Sequence, residues 1–183
     1  SEMCIRDRDY EGGGYFFTAD DAEALIVRTK SAADNATPAG NSVIAATLAR
    51  LYYLTGTQHF RDRAEVIIRT FAGEASQNYF PLTGLFCANE MLQACTQVII
   101  VGADDDPATQ ALLDVAWKAP NMRKLIQYIS PNGDTLHENH PAAGKDQQGG
   151  RATAYVCIGQ TCSLPLTDAS KLWNALSCNG DLQ

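Results

Sequence analysis

Apolar positions recur at helical spacing in the first half of the chain and in β-branched runs in the second. From Ser42, SVIAATLARLYYLTG places Val43, Ala46, Leu48, Leu51 and Leu54 near one face of a helix. Thr55-Gly56 closes that helix, with Gly56 as the residue beyond its end. HFRDRAEVIIRTFAGEA follows and puts Ala64, Ile67, Ile68 and Phe71 on one face. The connection is so short that the pair reads as an antiparallel helical hairpin. Pro81 opens a third helix, LTGLFCANEMLQAC, whose buried set is expected at Leu85, Phe86, Ala88 and Leu92.

The pattern then changes. QVIIVG, Gln97–Gly102, reads as a buried strand. Asp106-Pro107 is an N-cap followed by proline at the first helical position, opening PATQALLDVAWKA. KLIQYI, Lys124–Ile129, is a second strand, so a parallel, right-handed βαβ unit is expected. Residues 130–151 read as a long loop, ATAYVC (Ala152–Cys157) as a third strand, and ASKLWNALSC as a last helix capped by Thr167-Asp168. Helix–turn–helix units recur, but no solenoid period does. The chain therefore reads as a helical segment over 9–96 and a small α/β unit over 97–183. Residues 1–8 resemble the conceptual translation of a sequencing adapter and are expected to be a non-native tail, so Cys4 carries no argument.

A length of 183 residues fits one domain or one and a half, and 45% hydrophobic with 19% charged residues is ordinary for a folded soluble protein. A net charge of -7 argues against a nucleic-acid partner, because phosphate neutralisation needs clustered bases. Arg61, Arg63 and Arg69 share a helix with Asp62 and Glu65 and read as a solvated face. No apolar run approaches the roughly 20 residues that span a bilayer. With no signal peptide visible, a membrane partner is not expected and the cytoplasm is. Cys87 and Cys95 are expected to be inert core thiols. With Cys157, Cys162 and Cys178 they make an odd, irregularly spaced set, which is no secreted disulfide framework and suits a reducing cytosol.

The chemistry-bearing residues concentrate in Gly12–Ser42. It holds carboxylates (Asp20, Asp21, Glu23, Asp34), bases (Arg28, Lys30) and small polar groups (Thr37, Asn41, Ser42). Thr18–Asp21 has a local reading as a capping box. Carboxylates beside bases and hydrogen-bonding amides or hydroxyls also suit sugar-hydroxyl binding and glycosidic acid–base chemistry. The sequence does not set the separation of those carboxylates. VIIVGADDDPAT lacks the glycines of a dinucleotide site, and its three aspartates would repel phosphate. His137 and His140 are three apart in a Pro- and Gly-flanked stretch, so no zinc motif and no metal are expected. Cys157 and Cys162 flank a turn that can bring them together as a disulfide or metal pair, or they are reduced structural thiols.

FFTADDAEALIVRTK, DNATPAGNS, the helix ending LTG, VIIVG, TAYVC and C…LPLTD together resemble the C-terminal part of the thioredoxin-domain-containing YyaL / spermatogenesis-associated family. The likeness runs with interruptions from about Gly12 to Leu176 and departs from the family at NGDTLHENHPAAGKDQQGG. It implies a thioredoxin-like domain followed by an α/α toroid of the six-hairpin glycosidase type, of which this chain would be a C-terminal fragment. The expected fold is mixed α and β: antiparallel α-hairpins from an incomplete α/α toroid, then a small three-stranded βαβ-type unit with a C-terminal helix. The family blocks fall on Thr18–Asp21, Arg28–Lys30, Asp34–Ser42 and Tyr155–Cys162.

Three functions follow as expectations. In a sugar-binding or catalytic cleft, Asp20, Asp21 and Asp34 supply acid, base or hydroxyl ligands, and Arg28, Lys30, Asn41 and Ser42 orient a saccharide, with no cofactor. In a thiol-redox module, Cys157 and Cys162 form a resolving pair for the thioredoxin-like domain. In a non-enzymatic scaffold, the polar block only ties loops to helices.

Overall fold

Three helices follow an irregular opening segment: α1 (Gly40–Thr55), α2 (Gln58–Ala75) and α3 (Thr83–Ala94), the last entered through a 3-10 turn at Phe80–Leu82. The computed structural model describes residues 6–21, 26–131, 133, 136, 140–159 and 161–177. Helix α1 buries Asn41, Ser42, Ala45, Leu48 and Ala49, while Val43 is half exposed. The inward stripe is therefore rotated from the purely apolar one, because two polar residues in the first turn face inward. Helix α2 buries Ala64, Ile67 and Phe71 at three- and four-residue spacing. Helix α3 buries Leu85, Ala88, Met91 and Leu92. That stripe fills one face of a 12-residue helix, so Phe86 and Cys87, expected in the core, turn outward and are exposed.

Beyond α3 lies a four-stranded sheet in the order β2-β1-β3-β4. Strand β1 (Thr96–Val101) pairs in parallel with β2 (Lys124–Ile129), from Thr96↔Lys124 to Val101↔Ile129. Helix α4 (Pro107–Lys118) makes the crossover. The side chain of its N-cap Asp106 accepts from the Ala108 amide at 2.9 Å, and Pro107 fills the first turn where no donor is needed. Strand β3 (Thr153–Ile158) lies antiparallel on the other side of β1, and β4 (Thr161–Cys162) folds back on β3. Every β1 residue is buried, which is why its Val98–Val101 stretch reads as an unbroken apolar run.

Alternation along the strands gives the sheet two dressed faces. Val98, Ile100, Ala154 and Val156 pack with Leu112 and Ala116 of α4 and with Leu172 and Leu176 of α5 (Ala169–Ser177). The Asp168 carboxylate caps α5 by accepting from the Lys171 amide at 3.0 Å. Ile99, Val101, Tyr155 and Cys157 face the other way and pack on Ala142.

The chain divides into two units, Ser1–Tyr52 with Thr57–Leu92, and Tyr53–Gly56 with Gln93–Gln183. The expected incomplete α/α toroid with a three-stranded unit is overturned: the described residues make a mixed α/β fold with five α-helices and a four-stranded mixed sheet. The connection between β2 and β3 returns the chain antiparallel to β1. The Ile158↔Thr161 pairing then turns what reads as a Cys-x4-Cys loop into a hairpin with a fourth strand. Among the described residues, no helix is long and apolar enough to cross a membrane.

Gly102 follows β1 where a Cβ atom would come within 2.1 Å of Thr109 Oγ1 and 3.1 Å of Ala152 Cβ. Gly102→Ala is expected to destabilise the protein by about 1–3 kcal/mol, as overpacking does. A urea melt should show a lower midpoint with an unchanged slope.

Candidate functional site

Among the described residues, the segment ahead of α1 has almost no regular secondary structure, so its backbone polar groups need other partners. Asn41, 2% exposed, is the main one. Its Oδ1 accepts from the Tyr15 amide at 2.8 Å, and its Nδ2 donates to the Tyr15 and Ser31 carbonyls, each at 2.9 Å. Ser42 Oγ donates to the Ala32 carbonyl at 3.2 Å. Asp34 is half-buried and accepts from the Ala39 amide at 2.9 Å and the Gly84 amide at 2.6 Å. The second contact sets its negative charge on the first turn of α3, where the helix dipole favours it.

The bases are committed in the same way. Arg28 Nε donates to the Thr18 carbonyl at 3.2 Å, its Nη2 donates to the Thr18 and Arg6 carbonyls, and its guanidinium stacks 4.3 Å from the Phe16 ring centre. Lys30 Nζ donates to Asp9 Oδ2 at 2.7 Å and to the Gly13 carbonyl at 2.6 Å. That Lys30 hydrogen bond, helped by the Gly12 amide, holds the Asp9 carboxyl below its ordinary pKa of 3.8.

Of the three proposed acid–base carboxylates, Asp34 serves two backbone amides, Asp21 is exposed and paired with Arg6, and Asp20 is exposed. Among the described residues, no hydrogen bond joins any two of the three. Thr18 Oγ1 is buried without a partner rather than capping, and the helix its box would open, with Glu23, lies outside the described residues. His137 and Cys178 also lie outside them. Among the described residues, no group of three or more His, Cys, Asp or Glu could hold a metal ion. The sequence reading missed Asp9, Tyr15 and Arg63. The only signal for them was the Gly-rich stretch before Tyr15, which lets that loop lie against α2.

In the second unit the expected cysteine pair does meet. Cys157 of β3 and Cys162 of β4 stand directly opposite each other, 3.9 Å apart at Cα, and are joined by a disulfide rather than held as reduced thiols. The Ser163 amide donates to the Val156 carbonyl at 2.7 Å in the next pair along. The cysteines therefore occupy the non-hydrogen-bonded position, where opposed side chains lie closest. Cys157 is buried and Cys162 is exposed. Across from Cys157 on β1, Gln97 has its Oε1 buried without a hydrogen-bond partner.

Two outcomes follow for the polar block. Asp34→Ala leaves two amides without their acceptor and is expected to cost about 1–3 kcal/mol, whereas Asp20→Asn should shift a urea melt by less than about 0.5 kcal/mol. Because the folded-state pKa of Asp9 is lowered, its contribution to stability is complete above 3.8 and is lost as pH falls through the lowered value. Lys30→Met should lower the neutral-pH melting temperature and flatten that acid limb.

No family model matches the chain. Spermatogenesis-associated protein 20 of Homo sapiens is 29% identical over 168 residues, covering 90% of this chain and 21% of its own length. The Rattus norvegicus and Mus musculus proteins of the same name are 29% and 28% identical over the same span. The chain thus spans about a fifth of the length of the curated relatives it matches. Over nine-tenths of its length, it is a homologue of spermatogenesis-associated protein 20.

Proposed function

We propose that this homologue of spermatogenesis-associated protein 20 is a thiol–disulfide module, with Cys157–Cys162 as its reactive pair and the polar block as the frame of the first unit. The observation that carries this reading is the cross-strand bond between one exposed cysteine, Cys162, and one buried cysteine, Cys157. The partner is a dithiol of the thioredoxin type, which the family resemblance implies in longer members.

The partner's thiolate attacks Cys162 Sγ, forming a mixed disulfide and breaking the Cys157–Cys162 bond. Cys157 leaves as a thiolate and takes a proton from water. The partner's second thiolate then attacks its own mixed-disulfide sulfur and releases Cys162. Two electrons pass to this chain, and the partner ends as a disulfide. The buried Gln97 Oε1 supports a stable reduced state, because a Cys157 thiol on the same sheet face would give it a donor.

A carbohydrate cleft has less support. Asn41, Ser42 and Asp34 direct their polar atoms at the chain's own backbone, leaving little capacity for sugar hydroxyls.

The test is thiol trapping with a mass tag across a graded series of thioredoxin-type dithiol to disulfide ratios. Cys157 and Cys162 should gain tags together and reversibly within the physiological range, while Cys87 is tagged throughout. A pair that stays fully oxidised, or fully reduced, over the whole series contradicts the reading.

A further inference from the structure

We propose that a cavity between the Asp7–Phe16 loop and α2 binds a small carboxylate monoanion on Arg63 and Tyr15. The cavity measures about 270 Å³ and lies wholly within the first unit. Its polar wall is the Arg63 guanidinium, which donates through Nη2 to the Tyr15 hydroxyl and sits 5.9 Å from the centre of the Tyr15 ring. Arg63 Nε is buried and has no hydrogen-bond partner. Among the described residues, no carboxylate lies within 4.0 Å of this guanidinium.

Arg61 and Lys30, also in the first unit, do have carboxylate partners. Arg61, on the same helix, pairs with Glu65 at 2.9 Å, and Lys30 pairs with Asp9 at 2.7 Å. A guanidinium keeps its charge at every physiological pH, and holding it partly buried without a counter-charge is unfavourable. An anion in the cavity supplies that counter-charge. The Tyr15 hydroxyl accepts from Arg63 and leaves its own proton to donate to the same ligand.

The site is built before any ligand arrives. Gly13 and Gly14 both take φ of 74°, and a Cβ atom at Gly13 would stand 2.8 Å from Val66 Cγ1 and 2.5 Å from Thr70 Oγ1. Only glycine lets the loop lie this close to α2. Thr70 Oγ1 donates to the Gly12 carbonyl at 3.1 Å, and Asn41 fixes Tyr15 on both of its backbone polar groups.

Charge selects the ligand class. Asp9 is neutralised by Lys30. Exposed Glu11 remains as an opposing charge, so the lining suits one negative charge better than two. A planar carboxylate matches the guanidinium fork, whereas a phosphate dianion would face Glu11.

The test is isothermal titration of the 183-residue chain with acetate, lactate, glucuronate and inorganic phosphate at constant ionic strength. At least one carboxylate should bind saturably and more tightly than phosphate. Arg63→Gln should weaken that carboxylate about 10- to 100-fold, and Tyr15→Phe roughly 3- to 10-fold with the aromatic packing kept. Should Arg63→Gln fail to fold, Tyr15→Phe and Arg63→Lys decide. The proposal is overturned if no carboxylate saturates the unmodified chain, if phosphate binds more tightly than all three, or if the folded variants bind with unchanged affinity.

Discussion

Buried backbone must be hydrogen-bonded, and this single constraint organises the first unit. Among its described residues the segment leading to α1 has an isolated bridge, Arg8↔Tyr15, but no paired strand, so side chains meet much of the demand. Asn41 is central because one amide serves both polar groups of Tyr15 and the carbonyl of Ser31. It sits in the first turn of α1, so helix formation and loop placement become one event. Asp34 joins the same segment to α3 by the same means. A polar residue in such a position is neither surface solvation nor a free catalytic group; it replaces a strand that is not there.

The second unit meets the same demand by regular means. Strand β1 has neighbours on both sides, so its backbone is paired along its whole length. Period-two alternation sends one set of side chains to α4 and α5 and the other set to the face that carries Cys157. The disulfide thus lies at one end of a rigid sheet, on the face away from the helices. Its second cysteine, Cys162, is on β4, a strand of two residues.

Much of this was legible from residue pattern. The first two helices, the Asp106-Pro107 helix start and the two parallel strands follow from period and capping chemistry, which are local. The fourth strand was not legible, because two residues carry no period and its existence depends on where the β3 turn falls. The rotation of α1 was hidden for a related reason: apolar spacing alone cannot say that Asn41 and Ser42 face inward. The polar density of Gly12–Ser42 was visible, but its targets were not. Asn41 reaches Tyr15 across 26 residues and Gly84 reaches Asp34 across 50, and no local rule connects them. Arg63 reads as part of a solvated face because it shares a helix with acids, yet among the described residues it forms no ion pair with either, whereas Arg61 pairs with Glu65.

Hydrogen–deuterium exchange of the unmodified chain against Asn41→Leu tests most directly whether the polar block is the frame of the first unit. The account predicts that the Tyr15, Phe16 and Phe17 amides are protected in the unmodified chain and lose protection in the variant, while the β1 amides exchange unchanged. Equal protection of the Tyr15 region in both proteins would contradict it.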